Sequence, residues 1–391
     1  IYIYTSALFA AIIAFCIVTF CFVIDPYAIY PTLGTHESDE NIDLFYHLRL
    51  NKPYAMENIR PRHLIVGSSR SARLPPGPFA SAGENAYNAS LPGVTMREMR
   101  RMVEHADSIA SLQSVFIGVD FYMFRKGHSE LDDHYDDARL RKPNASVADK
   151  VVHRMQRFED NWSSLFSVDA LLSAFEAISE KHTSQRIYHR DGTWEAVIAR
   201  QKSSRHVYSM LARQTYDDFM TQTDELDITE FDRLLDFCEN AGIRTTVFIS
   251  PFHASIMNAV DFSGKWQRYL TWQRQLTDAV ERSGADIRLL AVESNSNAVL
   301  ESMDAGIPFF QDGVHYTAGG GESVIACLTN DDCSDDLQLT VLGRSNIEDY
   351  LSSVDRTMKG YKETNTADYK LLLKWIKNAA KVTKTGGAVG T

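Results

Sequence analysis

Two short stretches, far apart in the chain, carry residue types suited to acyl chemistry. Gly67-Ser68-Ser69-Arg70 sets a hydroxyl at the end of an apolar run, and Asp312-Gly313-Val314-His315 sets a carboxylate three residues ahead of an imidazole. An aspartate so placed on a tight loop orients the ring through Nδ1 and leaves Nε2 to take a proton from a serine. Ser69 is then the expected nucleophile, His315 the base and Asp312 the orienting group. Alone, Gly-Ser-Ser at a strand end is more often a turn or a helix cap. Together the two stretches say more than either half. A second imidazole, His253 in Ser250-Pro251-Phe252-His253, follows another apolar run and could line the same cleft, although a hydrogen-bonded structural histidine is the plainer alternative. The run from His128 to Asp137 holds oxygen and imidazole ligands for a divalent cation. Its spacing matches no metal loop, so it reads as a solvated charged loop, and no metal or cofactor is expected. Trp162, Trp194, Trp266 and Trp272 could stack on sugars, with Trp266 at helical spacing reading as core.

These residues need elements to position them. His63–Gly67 is a short apolar run closing on Gly and Ser, the form of a strand buried on both faces of a parallel sheet. Similar runs lie at Ala86–Ala89, Ser114–Val119, Arg244–Ile249 and Ile287–Val292. Between them the period changes to that of helices. Thr95 and Glu98 form a capping box ahead of Met96, Met99 and Val103. A second helix starts near Asp227, carries Phe231, Leu234, Leu235 and Cys238 on one face, and stops at Gly242. A third carries Trp266, Tyr269, Leu270, Leu276 and Val280 and ends near Gly284. Alternating strand and helix predict an α/β fold, a doubly wound three-layer sandwich around a parallel sheet, over residues 61–330. Residues 124–226 interrupt the alternation as a polar insertion, with an amphipathic helix at Val168–Ile178 and a turn at Asp191-Gly192. An insertion at the carboxyl edge of such a sheet commonly caps a site. Residues 331–391, where lysines crowd, read as a polar helical appendage with a disordered glycine-rich end.

The chain has 391 residues, 44% hydrophobic and 23% charged, which is ordinary globular chemistry. Its net charge of -11 argues against nucleic acid or anionic lipid as the main partner. One stretch departs from the average: Ile1–Ile24 holds no charged residue. As a helix it would span a hydrocarbon core of about 30 Å. A cleaved signal peptide has a shorter apolar region and a small-x-small site, neither of which is found here. A retained single-pass anchor (1–24) and a connector (25–60) are therefore expected, with the following domain outside the cytoplasm. Cys327 and Cys333 are close enough to pair in an oxidising compartment, though the spacing does not require it.

The ordered serine and Asp-x-x-His pair, in a chain of α/β alternation, resemble the SGNH hydrolases, also called the GDSL esterase superfamily. The resemblance covers roughly Arg62 to Ile325, with the insertion unmatched. Gly67-Ser68-Ser69 corresponds to the Gly-Asp-Ser block, with Ser68 in place of Asp. Gly93 matches the oxyanion glycine of the second block, and Gly118-Val119-Asp120 the Gly-x-Asn of the third, with Asp120 where the family has Asn. Asp312 and His315 match the fourth block intact. The resemblance implies an oxyanion hole built from Ser69, Gly93 and the Asp120 position, with Arg70, Asn88 and His253 toward the substrate. An ionised Asp120 would repel an oxyanion, so it is protonated, or it faces elsewhere, or the protein is no ordinary esterase. The Gly-Ser-Ser start, the anchor followed by Asp25-Pro26-Tyr27 and the large insertion look like the membrane-anchored branch that assists alginate O-acetylation and teichoic-acid D-alanylation. That branch implies a bacterial cytoplasmic-membrane location, a cell-surface glycan substrate and a multispanning membrane acyltransferase as donor. A catalytically silent scaffold of such a complex, and a lipase-like esterase, are the alternatives.

Overall fold

The computed structural model describes residues 2–30, 38–39, 44–80, 83–126, 134–178, 186–196, 225–251, 254–294, 309–310, 314–330, 333–335, 337–364, 366, 369–370, 372–374 and 376–377. The first helix, α1 (Tyr2–Ile24), is long and apolar enough to cross a membrane, and nearly all of its central window lies outside the protein's own core. A short strand β1 (Ser38–Asp39) follows, then α2 (Leu48–Ile59), which carries Pro53 and yet buries Leu48, Lys52, Tyr54 and Met56. The connector expected over 25–60 therefore contains a packed helix, hidden from a periodicity argument by its Pro, Tyr and Asn residues.

The main sheet begins with β2 (His63–Val66), β3 (Ala86–Asn88), α3 (Met96–Ala110) and β4 (Ser114–Val119). The chain then enters the insertion, with α4 (Val147–Leu165), α5 (Val168–Ala177), β5 (Arg186–His189) and β6 (Trp194–Ala196). It returns through α6 (Thr229–Asn240), β7 (Arg244–Ile249), α7 (Ala254–Phe262), α8 (Trp266–Arg282), β8 (Ile287–Ser294), α9 (Ala318–Asn330), β9 (Leu337–Leu342) and α10 (Ile347–Thr364). The six strands lie in the order β3-β2-β4-β7-β8-β9, with all neighbours parallel except β9, which runs antiparallel to β8. The five expected strands are thus all present, and the sixth comes from the segment expected to be an appendage. α10 also packs inward through Tyr350, Leu351, Val354, Met358 and Tyr361. Residues 337–364 complete the domain.

Alternate residues of each strand feed two separate apolar clusters. Leu64, Val66, Val115, Ile117, Val247 and Leu289 join the helices α3, α6, α8 and α10. Ile65, Phe116, Phe248 and Leu290 join α9 through Val324, Ile325 and Leu328. The capping box at Thr95 and Glu98 is formed, and α6 buries the four residues its spacing marked. The insertion leaves and re-enters through a paired neck, where Lys126 N–H donates to Glu225 O (2.8 Å) and Asp227 N–H to Phe124 O (2.7 Å). Its strands β5 and β6 form a separate three-stranded sheet with β1 of the connector, in the order β1-β5-β6, with the expected turn at Asp191-Gly192. Cys327 and Cys333 form a disulfide.

Candidate active site

The sheet order reverses its winding between β2 and β4, since one chain path leads from β2 outward to β3 and the other from β4 toward β9. In open α/β sheets the carboxyl ends at such a point form the ligand crevice. Ser69 lies immediately beyond β2 and Asp120 immediately beyond β4. Small residues make the turn possible. A Cβ on either Gly67 or Gly118 would collide with Ser71 Oγ, so the hydroxyl of Ser71 fills the gap between the two strand ends. The turn continues as a 3-10 helix, Ser71–Arg73, with Leu74 N–H donating to Ser71 O (3.0 Å).

Asn88 holds that turn from the other side. Its Nδ2 donates to Ser71 O and Leu74 O, both at 2.8 Å, and its Oδ1 accepts from Ser90 N–H (3.0 Å). Fully buried and with its side chain engaged, Asn88 is a strut of the Ser69 loop. Lys52 locks the same point from α2, donating through Nζ to Asn88 O and Gly192 O, both 2.7 Å. Burial drives its ammonium down to about 7. Sequence reasoning missed Lys52, because a lysine in an irregular polar stretch carries no burial signal.

His315 arrives on a loop closed by the bridge between Phe310 and Tyr316 and by Thr317 N–H on Phe309 O (2.9 Å). Thr317 Oγ1 accepts from Gly320 N–H (3.2 Å), starting α9 directly after the histidine. Gly321 allows α9 to touch the turn after Ser69, since a Cβ there would collide with Arg73 O. The backbone of one half of the site thus rests on the backbone of the other. Ser69 Oγ lies 2.8 Å from His315 Nε2, across 246 residues of sequence, with both side chains half-buried. Burial pushes the neighbouring Tyr316 hydroxyl up to about 12, so it is neutral.

Asp120 is engaged by Arg70. It is 2% exposed and ion-paired with Arg70, whose Nε donates to Oδ2 at 3.3 Å and whose Nη2 donates to Oδ1. Arg70, itself 3% exposed, ties β2 to β4 through this ion pair. Gly93 sits on an exposed turn at φ +61, in a segment fastened beside Ser69 by Leu91 N–H on Gly67 O (2.9 Å). Asp312 and His253 lie outside the described residues. Trp194, Trp266 and Trp272 are buried and offer no sugar platform, whereas Trp162 is exposed on α4.

Comparison with models of known families finds none that matches the chain, and comparison with curated proteins finds no relative. The chemistry must be argued from the site itself.

Proposed function

We propose that the protein is a membrane-anchored SGNH-type acyltransferase or esterase, with a three-layer sandwich body, that moves an acyl group, acetyl being the simplest, on a cell-envelope polysaccharide. The observation that carries this reading is the 2.8 Å approach of Ser69 Oγ to His315 Nε2 at the strand-order reversal. A serine hydroxyl is inert at neutral pH unless a base takes its proton as the bond forms. In the reading, His315 Nε2 takes that proton while Ser69 Oγ adds to the ester carbonyl, and Asp312 orients the ring. The backbone N–H groups of Ser69 and Gly93 receive the oxyanion. The leaving alkoxide takes the proton back from His315, leaving an acyl ester on Ser69. Water or a sugar hydroxyl then attacks, giving its proton to His315, and Ser69 departs with that proton. Hydrolysis and transfer differ only in this second nucleophile.

The apolar α1 supports anchoring, and the Cys327–Cys333 disulfide supports an oxidising compartment outside the cytoplasm of a bacterial cell. A multispanning membrane acyltransferase is the proposed donor. The second reading, a silent scaffold subunit, is favoured by one observation, that Asp120 is tied up by Arg70 where the family's Asn would face the oxyanion. Ser69→Ala decides between them. We expect it to abolish fluorophosphonate labelling and to lower turnover of an activated acetyl ester by about 10⁶-fold. Undiminished labelling would remove Ser69 from the mechanism, and full restoration of polymer modification in cells by an Asp312→Ala, His315→Ala double variant would establish the scaffold.

A further inference from the structure

The insertion contains a helix built inside out. Along α4, Val147, Val151, Met155, Phe158 and Trp162 recur at spacings of three and four, which places them on one stripe. Every one of them is exposed, Val147 at 79% and Phe158 at 71%. The opposite face of the helix, turned to the protein, is polar. Asp160 accepts from Tyr54 Oη (2.6 Å) and from Arg139 Nε (2.8 Å), Ser164 Oγ meets Tyr30 Oη (3.0 Å), and His153 reaches Glu57 (3.2 Å). α5 repeats the arrangement. Val168, Leu172 and Phe175 are exposed at helical spacing, while Ala170 and Ala174 are buried. A surface helix in water turns its apolar stripe inward, so the outer medium of α4 and α5 is not water.

The position of the two helices says what that medium is. α5 packs its buried alanines against the end of α1, where Ile17, Phe20, Cys21 and Ile24 gather, and Phe20 meets Phe175 at 5.0 Å between ring centroids. The contacted stretch covers the last two turns of the helix proposed to span the bilayer, about 10 Å of its length. A helix lying in a membrane interface buries its apolar face by about 5–10 Å. One rim of the α4 stripe carries the exposed cations Lys150 and Arg154, suited to phosphate headgroups, while the other carries the exposed Glu159 and the chain as a whole is acidic. Trp162 closes the stripe at its carboxyl end, the residue type enriched at headgroup depth.

We propose that α4 and α5 lie in the headgroup–acyl boundary of the same leaflet that α1 leaves, so that the body is held to the bilayer by three helices and not by a single tether. Side-by-side immersion of α1 and the insertion fixes the tilt of the domain, and with it the height of the crevice above the lipid. The proposal rests on α1 crossing the membrane but is independent of whether Ser69 reacts.

The test uses the full chain reconstituted into vesicles of phosphatidylglycerol and phosphatidylethanolamine, with bromine atoms near the head of the acyl chain in one preparation. Co-flotation with the vesicles reports on α1, and its failure overturns anchor and seat together. In the floated chain, brominated lipid should quench part of the tryptophan fluorescence, and Trp162→Phe, a conservative change at an exposed position, should lose most of that lipid-dependent quenching. Equal quenching in the two chains overturns the proposal while leaving the anchor intact. Loss of iodide quenching in Trp162→Phe instead would show the stripe facing water. A Trp162 component reached by neither quencher would show it covered by protein. Either of these outcomes overturns the lipid seat.

Discussion

The helix α3 and the helix α4 have the same kind of amphipathic pattern and opposite orientations. α3 buries Met96, Met99, Met102, Val103 and Ala106 against the sheet. α4 points Val151, Met155 and Phe158 outward and fixes itself through Asp160, His153 and Arg157. Periodicity therefore tells that a helix has two faces but not which face meets the protein. That choice is made by the partner surface: α3 meets strands of Leu, Val and Ile, whereas α4 meets Tyr54, Glu57 and Arg139. The body is held by apolar burial and the insertion by a seam of buried polar contacts.

The sharpest way to break this comparison is to cut matching phenylalanines. Phe248→Ala, in the sheet and fully buried, should cost about 3–5 kcal/mol in urea unfolding, while Phe158→Ala on the outward stripe should change stability by no more than about 0.5 kcal/mol. Comparable costs would mean that Phe158 packs against protein. Next in size, Asp160→Ala leaves the Arg139 guanidinium and the Tyr54 hydroxyl without their shared acceptor. A loss of about 3 kcal/mol is expected, concentrated in the insertion and read as faster amide exchange across α4 with β4 and β7 unchanged. Exchange rising equally in those strands would show that the two regions unfold as one.

At the joint between the regions the effect depends on pH and vanishes near neutrality. His105 donates from Nε2 to Pro53 O (3.0 Å) and accepts at Nδ1 from Arg141 N–H (2.8 Å). Burial holds its pKa at about 3 against an ordinary 6.5. Between those values the unfolded chain binds a proton that the folded chain refuses, so stability falls as pH drops from 6.5 toward 3, by up to about 1.4 kcal/mol per unit. His105→Gln should flatten that part of the profile of urea midpoints against pH, and an unaltered slope would exclude His105 as its source.

The five parallel strands were legible because burial on both faces turns a strand into a continuous apolar run. β9 was not, because Leu337-Gln338-Leu339-Thr340-Val341-Leu342 lies at an edge, where one face is wet and Gln and Thr interrupt the run. α4 escaped notice because Lys150, Arg154 and Arg157 break up its apolar residues along the sequence, and only the helical wheel reunites them. At the candidate site, Ser69 and His315 were readable from residue type and spacing. The burial of Arg70, Asp120 and Asn88 was not, since polar residues near a motif look alike whether they face a substrate or hold the backbone beneath it. Lys52 gave no signal at all, its partners being two backbone carbonyls supplied by distant turns.

The span between Ser69 and His315 has a kinetic meaning. Closing a loop of 246 residues is entropically uphill until the intervening strands have paired. While the chain is being made, Ser69 emerges long before His315. The contact between them waits until β7 and β8 have docked and α9 has settled on the turn at Arg73. If Ser69 reacts as proposed, its reactivity should be the last signal to recover in refolding, a reporter of completed assembly.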